Sequence, residues 1–256
     1  MIHPTAIIHP DARLAPEVTV EPYAVIGEHV TIGRGTVVGP HAVIDGWTEI
    51  GEENQIFHSA AVGGRPQDLK YKGEETWLRI GNRNIIREFT TLQPGTVTGD
   101  GETTVGNGNL FMAYCHVAHD CHVGNGVIMA NASTLAGHVM VEDHAILGGL
   151  SAIHQYTRIG AHTMVSGGSM VGQDVLPYTV VSGNRASSSG LNVIGLKRRG
   201  FSDELVRTLK KAYKILIRSG LRLAPALEQI ERELPMSPEL QHFIAFARGA
   251  KRGICR

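Results

Sequence analysis

From Ile8 onward an aliphatic residue returns at every sixth position: Ile8, Leu14, Val20, Ile26, Ile32, Val38, Ile44, Ile50, Ile56 and Val62. The beat resumes at Ile80, Ile86 and Leu92, and again from Val105 through Phe111 and Val117 to Val171, for 25 hexads in all. A period of six fits neither the 3.6 of an α-helix nor the 2 of a flat strand, so no ordinary amphipathic element accommodates it. It does fit a β-helix, a coil of short strands joined at corners, with one hexad per face and the aliphatic side chain pointing inward. Gly often follows the aliphatic (27, 33, 39, 51 and 63), and the position two before it is small or β-branched, as at Ala12, Val18, Ala24 and Val30. The pattern predicts Gly or Asn at corners that need positive φ. A composition of 31 glycines and only 14 aromatic residues agrees with tight coils and few bulky core plugs.

Two polar stretches interrupt the beat, Asp68 to Arg79 and Thr98 to Thr104. Insertions in a solenoid leave from a corner, often on the binding side; the first is read as such a loop and the second as a surface loop. Past Gly183 the period stops. Ser202 can cap a helix that carries Asp203 and Glu204 in its first turn and stops at Gly220. Pro225 can open a second helix, and Ser237-Pro238-Glu239 a third that ends near Gly249. The chain therefore divides into a repeat domain, 1–183, and a small helical domain, 184–256.

Zero net charge hides an asymmetry: from Arg185 to Arg256 there are 15 Lys and Arg against 6 Asp and Glu, a local charge of +9 that the rest balances. A basic tail on an acidic body suits an anionic partner. The chain lacks the apolar runs of a membrane span and the basic and apolar regions of a secretory signal. Its three cysteines (Cys115, Cys121, Cys255) suit reduced thiols, so the reading is a cytoplasmic protein with no integral membrane association and no nucleic-acid partner.

The [LIV]-G-x-x-[small]-x signature resembles the hexapeptide acyltransferases, whose left-handed parallel β-helix uses three hexads per coil of 18 residues. At about 4.8 Å per coil the resemblance implies a prism about 40 Å tall. A narrower resemblance rests on His116-Val117-Ala118-His119-Asp120-Cys121, Leu135-Ala136-Gly137-His138, His154-Gln155 and Gly195-Leu196-Lys197-Arg198-Arg199-Gly200-Phe201. Together these are similar, over essentially the whole chain, to the UDP-N-acetylglucosamine O-acyltransferases that begin lipid A synthesis.

Coil arithmetic stacks His119, Gly137 and Gln155 in one column. An imidazole beside a glycine amide, about 5 Å away, is what acyl transfer needs: a base for the attacking hydroxyl and an N–H for the oxygen that becomes negative. The resemblance makes Asp120 the residue that orients His119. It also implies that Gln67, Asp68 and Lys70 meet the sugar and diphosphate, and that His116, His138, His154 and Gln155 line the site. Asn192, Arg198 and Arg199 are implied near the nucleotide, and Gly167 where acyl length is measured, a Gly there favouring chains of about fourteen carbons. His122 has no counterpart and is read as structural.

The implied reaction takes an (R)-3-hydroxyacyl chain from the phosphopantetheine of acyl carrier protein to the 3-hydroxyl of UDP-GlcNAc, in a homotrimer, without metal or diffusible cofactor. Two departures stand out: Ile194, where many relatives have Glu, and Gln93-Pro94, where His-Arg is usual. They leave N-acylation of a 3-amino sugar nucleotide open as an alternative. A second alternative is a zinc hydratase, because His116, His119 and His122 are spaced three apart. Gly137 and Gln155, however, bring no such ligands from the next coils.

Overall fold

The computed structural model describes residues 1–256 and is a left-handed parallel β-helix with a helical C-terminal region. Each of the 25 hexads is a strand, and its aliphatic residue is the strand's last position, from Ile7–Ile8 to Met170–Val171. The strands form three sheets, each pairing one coil with the next in parallel. His116, Thr134 and Ala152, for example, are successive partners 18 residues apart. Side chains two residues apart point the same way, so each hexad sends two inward. One is the aliphatic and the other the residue two before it. Val18, Ala24, Val30, Ala42 and Ala60 are buried there beside Val20, Ile26, Ile32, Ile44 and Val62. The second inward residue must be small because three faces converge on one axis. Each buried aliphatic contributes roughly 1.5–3 kcal/mol.

At Asn54, Asn84 and Asn109 the second inward residue is polar and buried, and these amides form a ladder of their own. Asn54 Oδ1 accepts from the Asn84 amide at 2.9 Å, and Asn84 Oδ1 accepts from the Asn109 amide at 2.9 Å.

Of the five glycines after the aliphatics, Gly63 is at positive φ as expected, and the other four have a different reason. Gly27, Gly33, Gly39 and Gly51 are absent from the positive-φ residues; a Cβ on Gly33 would lie 2.6 Å from the Gly51 carbonyl of the next coil. Glycine is required there for close approach of coils. Glycine does hold the left-handed corners at Gly35, Gly108, Gly126 and Gly168, as expected, but more of that conformation falls on 16 non-glycine residues, none of them Asn. Such a conformation ordinarily costs about 1–2 kcal/mol per residue. Ring stacking between coils offsets it: Tyr23 on His41 (5.1 Å), Phe89 on Tyr114 (5.1 Å) and His138 on Tyr156 (4.4 Å).

Both insertions begin earlier than their polar character suggests. Trp77–Ile80 is a strand in register with Trp47–Ile50, so the first loop is 63–76. Glu102–Val105 is likewise a strand, and the second loop is 93–101. Beyond Val171 a shortened coil leads to Thr179–Ser182, which pairs antiparallel with Ser187–Leu191; this hairpin straddles residue 183.

Four helices follow: α1 (Val193–Arg198), α2 (Asp203–Tyr213, continued by a π-helical turn at Lys214–Arg218), α3 (Leu223–Glu233) and α4 (Pro238–Arg248). Ser202 caps α2 through the Leu205 amide (3.1 Å), and Ser237 caps α4 through the Leu240 amide (3.2 Å). α3 begins two residues before Pro225. The helices share a second core, in which Leu176 and Tyr178 of the last coil meet Leu209, Ile230 and Phe243. Arg158 ties the two regions, donating to Asp174 Oδ2 (2.9 Å) and to the Phe246 carbonyl (2.9 Å). No helix is long and apolar enough to cross a membrane.

Candidate active site

His119 occupies the corner between the strands His116–Val117 and His122–Val123, and Gly137 occupies the same corner one coil on. A Cβ at Gly137 would lie 2.6 Å from His119 Cε1 and 2.7 Å from Nε2, so the imidazole rests where only glycine leaves room. His119 Nδ1 donates to Asp120 Oδ2 at 2.7 Å. With the proton held on Nδ1, Nε2 is left as the basic nitrogen. The Gly137 N–H donates to no protein acceptor.

Asp120 is 1% exposed and accepts four hydrogen bonds. Besides His119, these come from the Thr96 amide (3.0 Å), the Thr96 hydroxyl (2.7 Å) and the Asp100 amide (3.1 Å). Burial alone would raise the carboxyl; the donors from Thr96 and His119 outweigh it and hold Asp120 below the ordinary carboxylate value. Loop 93–101, expected to be a surface loop, thus closes over the carboxylate. Gly99 permits it, because a Cβ there would collide with the Asp120 carboxylate.

A cleft of about 490 Å³ is lined by Gln67, Asp68, Lys70, His119, His138 and Gln155, together with Leu69, Thr98 and Tyr156. His138 meets His119 edge-on (5.0 Å) and stacks flat on Tyr156. Burial lowers the His138 pKa, partly countered by Asp120. Asp68 Oδ1 accepts from the Lys70 amide (2.9 Å), a local turn that leaves Leu69 fully exposed.

The other residues singled out lie outside this cleft. The Nδ1 of His116 is 2.6 Å from the Thr91 hydroxyl, and burial together with His119 lowers its pKa. His154 is exposed and accepts from Arg252 at 3.3 Å. Asn192 caps α1: its Oδ1 accepts from the Gly195 amide and its Nδ2 donates to the His162 carbonyl. Arg198 and Arg199 are exposed at the end of that helix. Gly167 is at the corner preceding Met170–Val171, where an added Cβ would have the Gly149 carbonyl oxygen 3.2 Å away.

His116, His119 and His122 do not converge as metal ligands; the one group that does is His119, Asp120 and His138. Its chemistry is poor for a cation, since the four donors on Asp120 already use its lone pairs. His122 is engaged by Thr104 (2.8 Å) and Asp100 (3.0 Å).

Tyr156 could have been found by arithmetic, being 18 residues after His138. Thr96, Gly99 and Asp100 lie in a loop without period, and no sequence signal points to them.

The C-terminal third of the chain, residues 174–255, matches the family model described as Udp N-acetylglucosamine O-acyltransferase, Domain 2. Residues 12–46 and 102–137 match the bacterial transferase hexapeptide model. An acyl-[acyl-carrier-protein]–UDP-N-acetylglucosamine O-acyltransferase from Thermodesulfovibrio yellowstonii is 56% identical over 255 residues, 100% of this chain and 99% of that protein. The chain belongs to the UDP-N-acetylglucosamine O-acyltransferase family. A relative of the same name from Myxococcus xanthus is 54% identical over 100% of this chain and 99% of its own length. Among solved structures, LpxA from Acinetobacter baumannii superposes with a TM-score of 0.97 at 47% identity, covering 100% and 99% of the two chains. The Arabidopsis UDP-N-acetylglucosamine acyltransferase gives 0.88 at 38%, covering 100% of each. The family is one of acyltransferases, and the His119 corner carries the parts that such chemistry needs.

Proposed function

We propose that the chain transfers an (R)-3-hydroxyacyl group from acyl carrier protein to the 3-hydroxyl of UDP-GlcNAc. The observation that carries this reading is the pairing of His119, tethered through Nδ1 to Asp120, with the unpaired N–H of Gly137 next to it. His119 Nε2 removes the proton of the sugar hydroxyl as its oxygen attacks the thioester carbonyl. The Gly137 N–H faces the developing oxyanion. The C–S bond then breaks, and the proton passes from His119 to the departing thiol. Asp120 holds the ring and balances its transient positive charge.

Gln67, Asp68 and Lys70, with His138 and Gln155, contact the sugar and diphosphate. His116 and His154, which lie outside that cleft, also line the site, and Gly167 leaves room for a longer chain. Asn192, Arg198 and Arg199 lie outside the cleft of their own chain, so they meet the nucleotide of a neighbour's site in a homotrimer. The prism's outward faces support that assembly. One face is charged, with Arg13, Glu49, Arg79 and Arg158, whereas another presents Ile85, Leu110, Ile128, Ile146 and Met164. An apolar ladder half-open in one chain is an interface for a second. The basic helical region suits an anionic partner. The chemistry calls on no metal or diffusible cofactor, and the setting is cytoplasmic.

The test is incubation with UDP-GlcNAc and (R)-3-hydroxyacyl carrier protein, alongside the 3-amino sugar nucleotide. An acylated UDP-GlcNAc insensitive to chelators supports the reading. Product from the amino sugar alone, or loss of activity with a chelator, overturns it.

A further inference from the structure

The segment Gln93–Asp100 is bonded at its two ends to the two halves of the cleft. At one end Gln93 is 5% exposed, and its Oε1 accepts from the Gln67 amide at 3.1 Å. Gln67 starts the run that lines the cleft through Lys70. At the other end Thr96, 2% exposed, donates its hydroxyl and its amide to Asp120, and Asp100 adds a third donor. Only Pro94 and Gly95 separate the two attachments. Neither has slack: proline fixes its own φ, and a Cβ on Gly95 would lie 2.6 Å from Glu102 Cα.

We propose that Gln93–Asp100 is a positioning bridge, in which Thr96 holds Asp120 and so aims the His119 imidazole, while Gln93 sets the loop that meets the nucleotide sugar. Both side chains are buried and act through other residues. The two ends therefore affect different kinetic constants. Loss of the Thr96 hydroxyl loosens the dyad that acts in the transition state, which lowers kcat. Loss of the Gln93 acceptor frees Gln67–Lys70, which weakens substrate binding and raises KM. A segment that served only folding would alter stability and move kcat and KM together or not at all.

The inference rests on the proposed reaction at His119. Its test is steady-state kinetics of the full chain, varying UDP-GlcNAc at saturating hydroxyacyl carrier protein. Thr96→Val should lower kcat about tenfold, the effect of one lost charge-assisted hydrogen bond, with KM within about twofold. Thr96→Ser, which keeps the donor, should retain at least about half of kcat. Gln93→Met, similar in length but without the acceptor, should raise KM about fivefold and leave kcat within about twofold. Wild-type kcat in Thr96→Val, or parallel loss in both variants, overturns the bridge while the reaction stands. If Thr96→Val does not fold, an unchanged KM in Gln93→Met overturns it equally. A wild-type chain without turnover overturns the reaction and the bridge with it.

Discussion

Two corners of the same prism share a backbone and differ in what they do with it. At one, the side chains Asn82, Asn107, Asn125 and Asp143 stack in a column, and each accepts from the corner amide of the preceding coil. The four steps, from Glu52 N–H through Asn125 N–H, measure 2.7–2.8 Å. At the other, the column is His119, Gly137 and Gln155, and none of their amides has a protein acceptor. The first column spends its polar groups on holding coils together. The second leaves an N–H open beside an imidazole. The residue after the corner repeats the contrast: His144 and His162 meet at a tilt with their Nδ1 atoms buried and unpartnered, whereas Asp120 is saturated by the loop 93–101. A repeat fold therefore supplies many equivalent corners, and the proposed chemistry falls at one where the inter-coil cap is omitted and an insertion fixes a carboxylate.

The largest expected effect lies at the open corner. His119→Ala should lower kcat by about 10²–10⁴-fold, with the thermal midpoint near that of the wild type; an unchanged kcat would make the two corners equivalent. Next comes Gly99→Ala, which pushes a methyl into the Asp120 carboxylate. Overpacking of this kind costs about 1–3 kcal/mol, so both kcat and the denaturation midpoint should fall. Asn125→Ala sharpens the contrast from the other side. It removes the acceptor for the Asn107 amide and should cost about 0.5–1.5 kcal/mol in urea unfolding while kcat holds. A kcat loss there would remove the distinction drawn here.

The smallest effect concerns pH. His242 has a raised pKa, caused first by its hydrogen bond to Glu142 (2.9 Å) and opposed by burial. Since the folded value exceeds the unfolded one, the pair's contribution is full below about pH 6.5 and fades as pH rises through the folded value. Glu142→Gln should therefore destabilise more at pH 5.5 than at pH 8.5, by less than about 1 kcal/mol for a partly exposed pair. An equal penalty at both pH values contradicts the assignment.

The prism was legible because its signal is repeated: one aliphatic per hexad marks the end of every strand from Ile8 to Val171. The same arithmetic put Gly137 beside His119, and it extends to Tyr156. Three features resisted reading. The glycines after the aliphatics look like turn residues, yet Gly33 and Gly51 answer to the backbone of the next coil, a three-dimensional constraint. The left-handed corners held by Tyr156 and His138 are stabilised by rings 18 residues apart, against local preference. Thr96 and Asp100 reach Asp120 from a loop of no period, so their partner depends on how that loop folds back. The helical region was legible at its caps, Ser202 and Ser237, but α1 was missed because Asn192 caps a helix of only six residues.

The central claim is that His119 and Gly137 form one device, with the ring seated where a Cβ would intrude. A double-mutant cycle on kcat tests it most directly. Gly137→Ala should lower kcat at least about tenfold when His119 is present, since the methyl displaces the imidazole. In the His119→Ala background the same change should alter the residual rate by less than about threefold, as expected of groups that act as a unit. An equal fold-loss in both backgrounds would contradict the account.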